Sequence, residues 1–195
     1  MRRVRWWRAG SAVALALALL GGCANPQPQR FAPLSFAERQ PIRLDVARLD
    51  ISTTYAAPLA PPNVEQVAPV VPETALKRWA EERLLVAGIG TRVARFVITE
   101  ASIVETELPR TQGFIGSVTV DQGSRFELKI AAALEIQSGR TTDRQSAGAS
   151  ATVTRSRTLR EDATLNERDR LLYDLVRQAM TDFDAEMDRQ LRRHL

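Results

Sequence analysis

Along the chain, apolar and polar positions alternate most cleanly over residues 126–137. Phe126, Leu128, Ile130, Ala132, Leu134 and Ile136 share one parity, and Glu127, Lys129, Glu135 and Gln137 the other. A period of two with one apolar side specifies a strand with one buried and one wet face. Residues 92–108 read as a second long strand. Here Phe96, Ile98, Ser102, Val104 and Leu108 share one parity, while Val97, Ala101 and Ile103 share the other. Residues 147–159 read as a third, whose inward candidates Ala147, Ala149, Ala151 and Val153 are small enough for something bulky to pack close. Earlier, residues 42–51 read as one strand: Ile42, Leu44 and Val46 on one face, Leu49 and Ile51 on the other, with a bulge expected near Ala47 or Arg48.

Two stretches have the helical period instead. Over 73–87, Leu76, Trp79, Ala80, Leu84 and Ala87 recur at spacings of three and four, and Gly88 reads as the stop. The last element opens with Thr164-Leu165-Asn166-Glu167, a hydroxyl at the cap with a carboxylate three residues on. From there Leu172, Leu175, Val176, Ala179, Phe183, Met187 and Leu191 form a stripe to the carboxyl end. About thirty helical residues reach roughly 45 Å at 1.5 Å each, enough to cover one face of a sheet. The order β-α-β-β-β-α then predicts an α+β two-layer sandwich, a mainly antiparallel four-stranded sheet with two helices on one face. If the first strand pairs in parallel across the first helix, the crossover is right-handed.

Prolines mark the rest. Residues 24–41 hold Pro26, Pro28, Pro33 and Pro41 and read as an extended, solvated tether; docking of its sparse apolar residues Phe31, Leu34 and Phe36 on the domain is the second reading. Residues 53–72 hold Pro58, Pro61, Pro62, Pro69 and Pro72, long for an internal loop, and are expected to lie extended on the domain surface. The domain is expected to span 42–195.

The amino end follows another logic. Arg2, Arg3, Arg5 and Arg8 precede a short apolar run over 9–20, which ends in Gly21-Gly22-Cys23. A spanning helix needs about 20 apolar residues, so this run reads as a secretory signal. Leu20-Gly21-Gly22-Cys23 resembles the lipobox of bacterial lipoproteins, with Gly21 where that family often has Ala, Ser or Thr. The resemblance implies cleavage between Gly22 and Cys23, removing residues 1–22. It also implies diacylglycerol on the Cys23 thiol, acylation (palmitate) of the new amino group, and a lipidated tether over 23–41. By the sorting rule of such lipoproteins, Ala24 after the cysteine implies the periplasmic face of the outer membrane. The order of elements, with the proline-rich tether and closing amphipathic helix, also resembles the auxiliary lipoproteins of ABC-type transport systems. More loosely it resembles the small lipoprotein that plugs the lipopolysaccharide translocon. Segments such as Ala75-Leu76-Lys77-Arg78-Trp79-Ala80 and Glu100-Ala101-Ser102-Ile103-Val104-Glu105 contribute to that likeness.

Charge excludes one class of partner. Setting aside the four arginines before Cys23, the remaining chain balances 23 basic against 23 acidic side chains. A nucleic-acid binder needs surplus cations to displace counterions from phosphates, so no nucleic acid is expected. Nor does the chemistry of an enzyme assemble. Gly148-Ala-Ser150-Ala-Thr152 departs from the nucleophile elbow at its last position and lies in a predicted strand, and His194 sits beside the chain end. Asp182, Asp184, Glu186 and Asp188 read as a solvated helix face with local ion pairs rather than a metal site, since Arg189, Arg192 and Arg193 follow. The same holds for Glu100, Glu105 and Glu107. No catalytic residue, metal or cofactor is therefore assigned. Arg155, Arg157 and Arg160 read as charge protection of an edge strand, with phosphate or a lipid headgroup as the other reading.

The connection over 109–124 carries Gly113-Phe114-Ile115-Gly116, then Val118 and Val120. Two readings stand: the hairpin folds back on its own sheet, or Phe114 and Ile115 touch a partner protein or lipid. The leading expectation is a non-catalytic accessory lipoprotein, held to the membrane by its lipid and serving envelope assembly or ABC-type transport beside an envelope protein. A module binding a lipid or other apolar ligand between sheet and helices is the alternative, and a hydrolase with an unrecognised carboxylate pair the third.

Overall fold

The computed structural model describes residues 29–109, 122–137 and 147–194. Phe31–Leu195 form one unit. Among the described residues, six strands and two α-helices follow in the order β1 (Ile42–Leu44), β2 (Arg48–Thr53), α1 (Pro72–Arg83), β3 (Leu84–Val86), β4 (Val93–Glu107), β5 (Gln122–Gln137), β6 (Ala147–Arg160) and α2 (Leu165–His194), with a 3-10 turn at Glu65–Val67. The class is α+β, as the periodicity predicts. The sheet differs from expectation. It has four strands in the order β2-β4-β5-β6, and β2 runs parallel to β4 while the other pairs are antiparallel. A separate parallel ribbon pairs β1 with β3. The connection from β2 to β4 contains the proline-rich segment and α1, long enough to bring the chain back for a parallel pairing.

The expected single strand over 42–51 is two strands in two sheets. The Leu44 carbonyl accepts from the Val46 N–H at 2.9 Å and from the Ala87 N–H at 2.9 Å, and the Ala47 N–H donates to Arg92 O at 2.8 Å. That tight redirection, rather than a bulge, is why parity changes between Val46 and Leu49. Helix α1 begins with Pro72 in its first turn, where a missing N–H costs nothing. It stops at Arg83 rather than near Ala87, because Leu84–Val86 are claimed by the ribbon. Gly88 consequently ends no helix. A Cβ there would lie 2.5 Å from the Val46 nitrogen, so only glycine lets the strand leave past the 45–46 turn.

The two parities of β4 are reconciled by a bulge between Ile98 and Glu100. Ala94, Phe96 and Ile98 face inward before it and Ala101 and Ile103 after it. One extra residue flips the face, as a bulge must. In β5 all six predicted inward residues are buried, and Ala149 and Ala151 of β6 are buried beneath α2. The seven predicted stripe residues of α2 are buried too, with Met180 added. Its cap is reciprocal. The Thr164 N–H donates to the Glu167 carboxylate at 2.7 Å, the Thr164 hydroxyl donates to it at 2.9 Å, and the Glu167 N–H donates to Thr164 Oγ1 at 3.3 Å. These bonds to the ionised form hold the Glu167 carboxyl below its ordinary value.

At the centre, Trp79 of α1, Phe96 of β4 and Phe183 of α2 meet at ring-centroid distances of 5.1 to 6.5 Å, with Phe183 edge-on to the other two. All three are fully buried, each stabilising by roughly 1.5–3 kcal/mol through area removed from water. Toward the other end of the sheet, Arg168 of α2 stacks 5.3 Å above the Phe126 ring and pairs with Glu105 at 2.8 Å.

Candidate functional site

The end of the unit nearest the sequence's membrane-targeting features is fastened, not free. Residues 31–41 were expected to be solvated. Instead Leu34 and Phe36 are buried in the core, and the Phe31 ring lies 4.9 Å from that of Tyr173 on α2. Apolar side chains spaced two apart on an extended segment drop into the groove beside α1. Polar bonds then fix the backbone. Arg78 donates to Leu34 O at 3.3 Å, and Glu82 accepts from the Phe36 N–H and from the Ser35 hydroxyl.

Deeper in, α1 and α2 share a buried charge. Asp184 Oδ1 accepts from Trp79 Nε1 at 2.8 Å and from Arg83 Nε at 2.7 Å, while Arg39 lies 3.7 Å from its other oxygen. Arg83 and Asp184 are each only 4% exposed. Arg83 also donates to Gln40 O and lies 3.6 Å from Asp188. The solvated reading of the acidic cluster therefore fails at Asp184. One sequence signal pointed there: Asp184 sits four residues after Met180 and three before Met187, inside the apolar stripe, and Arg83 sits four after Trp79. A carboxylate at that position must be buried with a partner. The other three acids behave as read. Asp182 pairs with Arg155, Glu186 with Arg189, and Asp188 with Arg192.

The second proline-rich segment does more than lie on the surface. Strand β2 covers the edge of β4 only as far as Ile98. Beyond it, the Val64 N–H donates to Ile103 O and the Glu105 N–H to Pro62 O, both at 2.9 Å, and Asn63 bridges Val104. Glu65, only 2% exposed, inserts its carboxylate and accepts from the Ile103 N–H at 3.2 Å, from the Tyr55 hydroxyl at 2.8 Å and from Asn63. Burial pushes the Glu65 carboxyl up, but its own backbone N–H, Tyr55, Ile103 and Asn63 outweigh burial and hold it below the ordinary value. Burial first, then the bond to Glu65 and its charge, raise the Tyr55 hydroxyl. Periodicity does not reveal such a cluster, because its residues come from an irregular segment.

Of the residues singled out from the sequence, Gly22, Cys23, Phe114 and Ile115 lie outside the described residues. Ser150 is exposed on β6, facing away from the helices. The arginines of β6 reach over the edge to α2: Arg155 pairs with Asp182 and Arg157 donates to Gln178 at 2.9 Å, while Arg160 lies 3.4 Å from Asp162. They guard an edge strand and are occupied with each other's neighbours. Among the described residues, no group of three or more histidine, cysteine or acidic side chains is placed to hold a metal ion. Among the same residues, every buried side-chain polar atom has a partner, and no helix is long and apolar enough to cross a membrane. What the arrangement offers is a buried apolar core with the segment from Phe31 to Gln40 fastened against it.

No family model matches the chain, and no curated protein does. Among solved structures it is similar to rare lipoprotein B of Shewanella oneidensis, at 13% identity and a TM-score of 0.26, over 72% of this chain and 98% of that one. A superposition of that extent carries no argument about fold or role, so the functional conclusion rests on the residues of this chain.

Proposed function

We propose that this protein is a non-catalytic, lipid-anchored envelope lipoprotein, acting as an accessory subunit in envelope assembly or ABC-type transport. The carrying observation is Leu20-Gly21-Gly22-Cys23 behind four arginines and a short apolar run. Cys23 is then acylated after cleavage behind Gly22, and Ala24 directs the product to the periplasmic face of the outer membrane. The docked segment from Phe31 supports this reading, since it gives the anchor a firm attachment to the fold. An envelope protein is the partner, and Phe114 and Ile115 form part of the contact.

Metabolic labelling with an alkyne fatty acid tests the anchor. Wild type takes up label and Cys23→Ser does not; equal labelling of the two refutes it. Replacing Phe114 and Ile115 by serine tests the contact: co-purifying envelope proteins are lost while thermal stability is kept. Retention of the same proteins removes these residues from the interface.

A further inference from the structure

Between β2 and α1 the chain runs along the edge of β4 with little apolar surface to hold it there. From Ser52 to Val67 the one buried residue is Glu65. Leu59 is 70% exposed and Val67 55%, while Tyr55 and Val64 pack on the core only partly buried. Past the end of β2, two backbone bonds join this stretch to β4: Val64 N–H to Ile103 O, and Glu105 N–H to Pro62 O. The Ile103 N–H, which a neighbouring strand would ordinarily satisfy, donates instead to Glu65 Oε2 at 3.2 Å. A side-chain carboxylate thus stands where a strand carbonyl would. Its other partners are neutral donors too: the Tyr55 hydroxyl at 2.8 Å, Asn63 Nδ2 at 3.2 Å and the backbone N–H of Glu65 itself. The charged residues of β4 on either side of Ile103 are acids. Glu100 acts on Tyr55, and Glu105 is taken up by Arg168 of α2.

We propose that residues 60–67 form a strap latched to the β4 edge by Glu65, and that protonation of this carboxyl releases the strap while the sheet and both helices stay folded. An apolar anchor would hold equally at any pH; a carboxylate does not. Once protonated, it offers its donors a neutral and weaker acceptor. Its own O–H then needs a lone pair, and of the groups now facing it only the Tyr55 oxygen supplies one. The direction follows from the same partners. Burial pushes the Glu65 carboxyl up, but these donors outweigh it and hold the group below its ordinary value of 4.5. The latch is therefore complete above that value and is lost as the pH falls through the lower folded one. Opening stays local because the strap lends the core so little, and stretches with few buried apolar contacts open first. Ala101 and Ile103 keep their places in the core, and the released edge presents the backbone groups of Ile103 and the Glu105 N–H to solvent.

Amide hydrogen exchange in the full chain, corrected for intrinsic rates and followed from about pH 7 to about pH 3, tests the latch. Protection at Val64, Ile103 and Glu105 falls together, by at most about tenfold per pH unit, the limit for one proton. Protection at Leu128, Leu134 and Leu175, in β5 and α2, is kept over the same range. Loss at both sets together, or no loss at the first, overturns the proposal. Two variants assign the titrating group. Glu65→Gln has no proton to gain there, so protection of the first set is lower than wild type at neutral pH and then level; a fall parallel to wild type overturns the role of Glu65. Tyr55→Phe leaves the carboxyl in place and removes one bond to its ionised form. The release midpoint therefore moves up toward 4.5, and an unmoved or lowered midpoint overturns the latch.

Discussion

Replacing Asp184 by alanine removes one end of a charge pair that water cannot reach. Two hydrogen bonds go with it, from Arg83 Nε at 2.7 Å and from Trp79 Nε1 at 2.8 Å. Arg83 stays 4% exposed and charged, and its remaining acid, Asp188, is 3.6 Å away on a partly solvated side chain. Stranding one member of a buried pair costs about 3–5 kcal/mol. Because Asp188 and the Gln40 carbonyl retain part of the stabilisation of Arg83, about 3 kcal/mol is expected. Against a total stability of roughly 5–15 kcal/mol, this is a large fraction. At about 2–4 °C per kcal/mol for a domain of this size, the melting temperature falls by roughly 6–12 °C. The sharper part is the comparison with Arg83→Met/Asp184→Leu. That pair removes both charges; the Gln40 carbonyl, on an exposed residue, turns to water, and the buried Trp79 N–H is left unpaired, a penalty of about 1–3 kcal/mol. The double variant is therefore at least as stable as Asp184→Ala. Urea unfolding followed by far-ultraviolet circular dichroism gives both values. An Asp184→Ala loss under about 1 kcal/mol, or a double variant that loses the sum of both single losses, refutes the picture of a water-excluded, coupled pair.

Three further outcomes follow from the packing. Thr164→Ala deletes the cap hydroxyl that receives the Glu167 N–H, and thermal melts show a loss of about 1 kcal/mol. Ala151→Leu forces a larger side chain beneath α2 and lowers stability by about 1–3 kcal/mol in the same assay. Glu65, whose carboxyl is held below its ordinary value of 4.5, contributes stability that is complete above that value. The contribution is lost as the pH falls through the lower folded value. Glu65→Gln accordingly flattens the decline in stability below pH 4.5, and an acid limb identical to wild type contradicts the assignment.

What the sequence discloses depends on how far apart the deciding atoms lie. The alternation of β5, the stripe of α2 and its threonine cap are local patterns, and the structure follows them residue for residue. The split between β1 and β2 is decided by the Leu44 carbonyl receiving the Ala87 N–H, forty-three residues on, and no window on the chain contains both. The bulge in β4 left a trace as conflicting parities, legible once the register with β5 is known. Burial of Leu34 and Phe36 was hidden by the prolines around them, which signal extended backbone equally well on a surface and in solvent. Asp184 was visible as a polar residue within an apolar stripe, but its partners, Trp79 and Arg83, lie about a hundred residues earlier. The residues assigned to anchoring and partner contact came from motif and loop composition, and they fall outside the described residues.

The way residues 31–40 are secured bears on mechanics. Phe31 rests on Tyr173, Leu34 is held by Arg78, Phe36 by Glu82 and Gln40 by Arg83, so four successive holds precede the first strand. A pull applied from the amino-terminal side is taken up along α1 and α2 before it reaches the ribbon. Tension is thus shared in shear across two helices instead of peeling a short strand from its neighbour one bond at a time. A domain dragged by one end gains most from such load sharing.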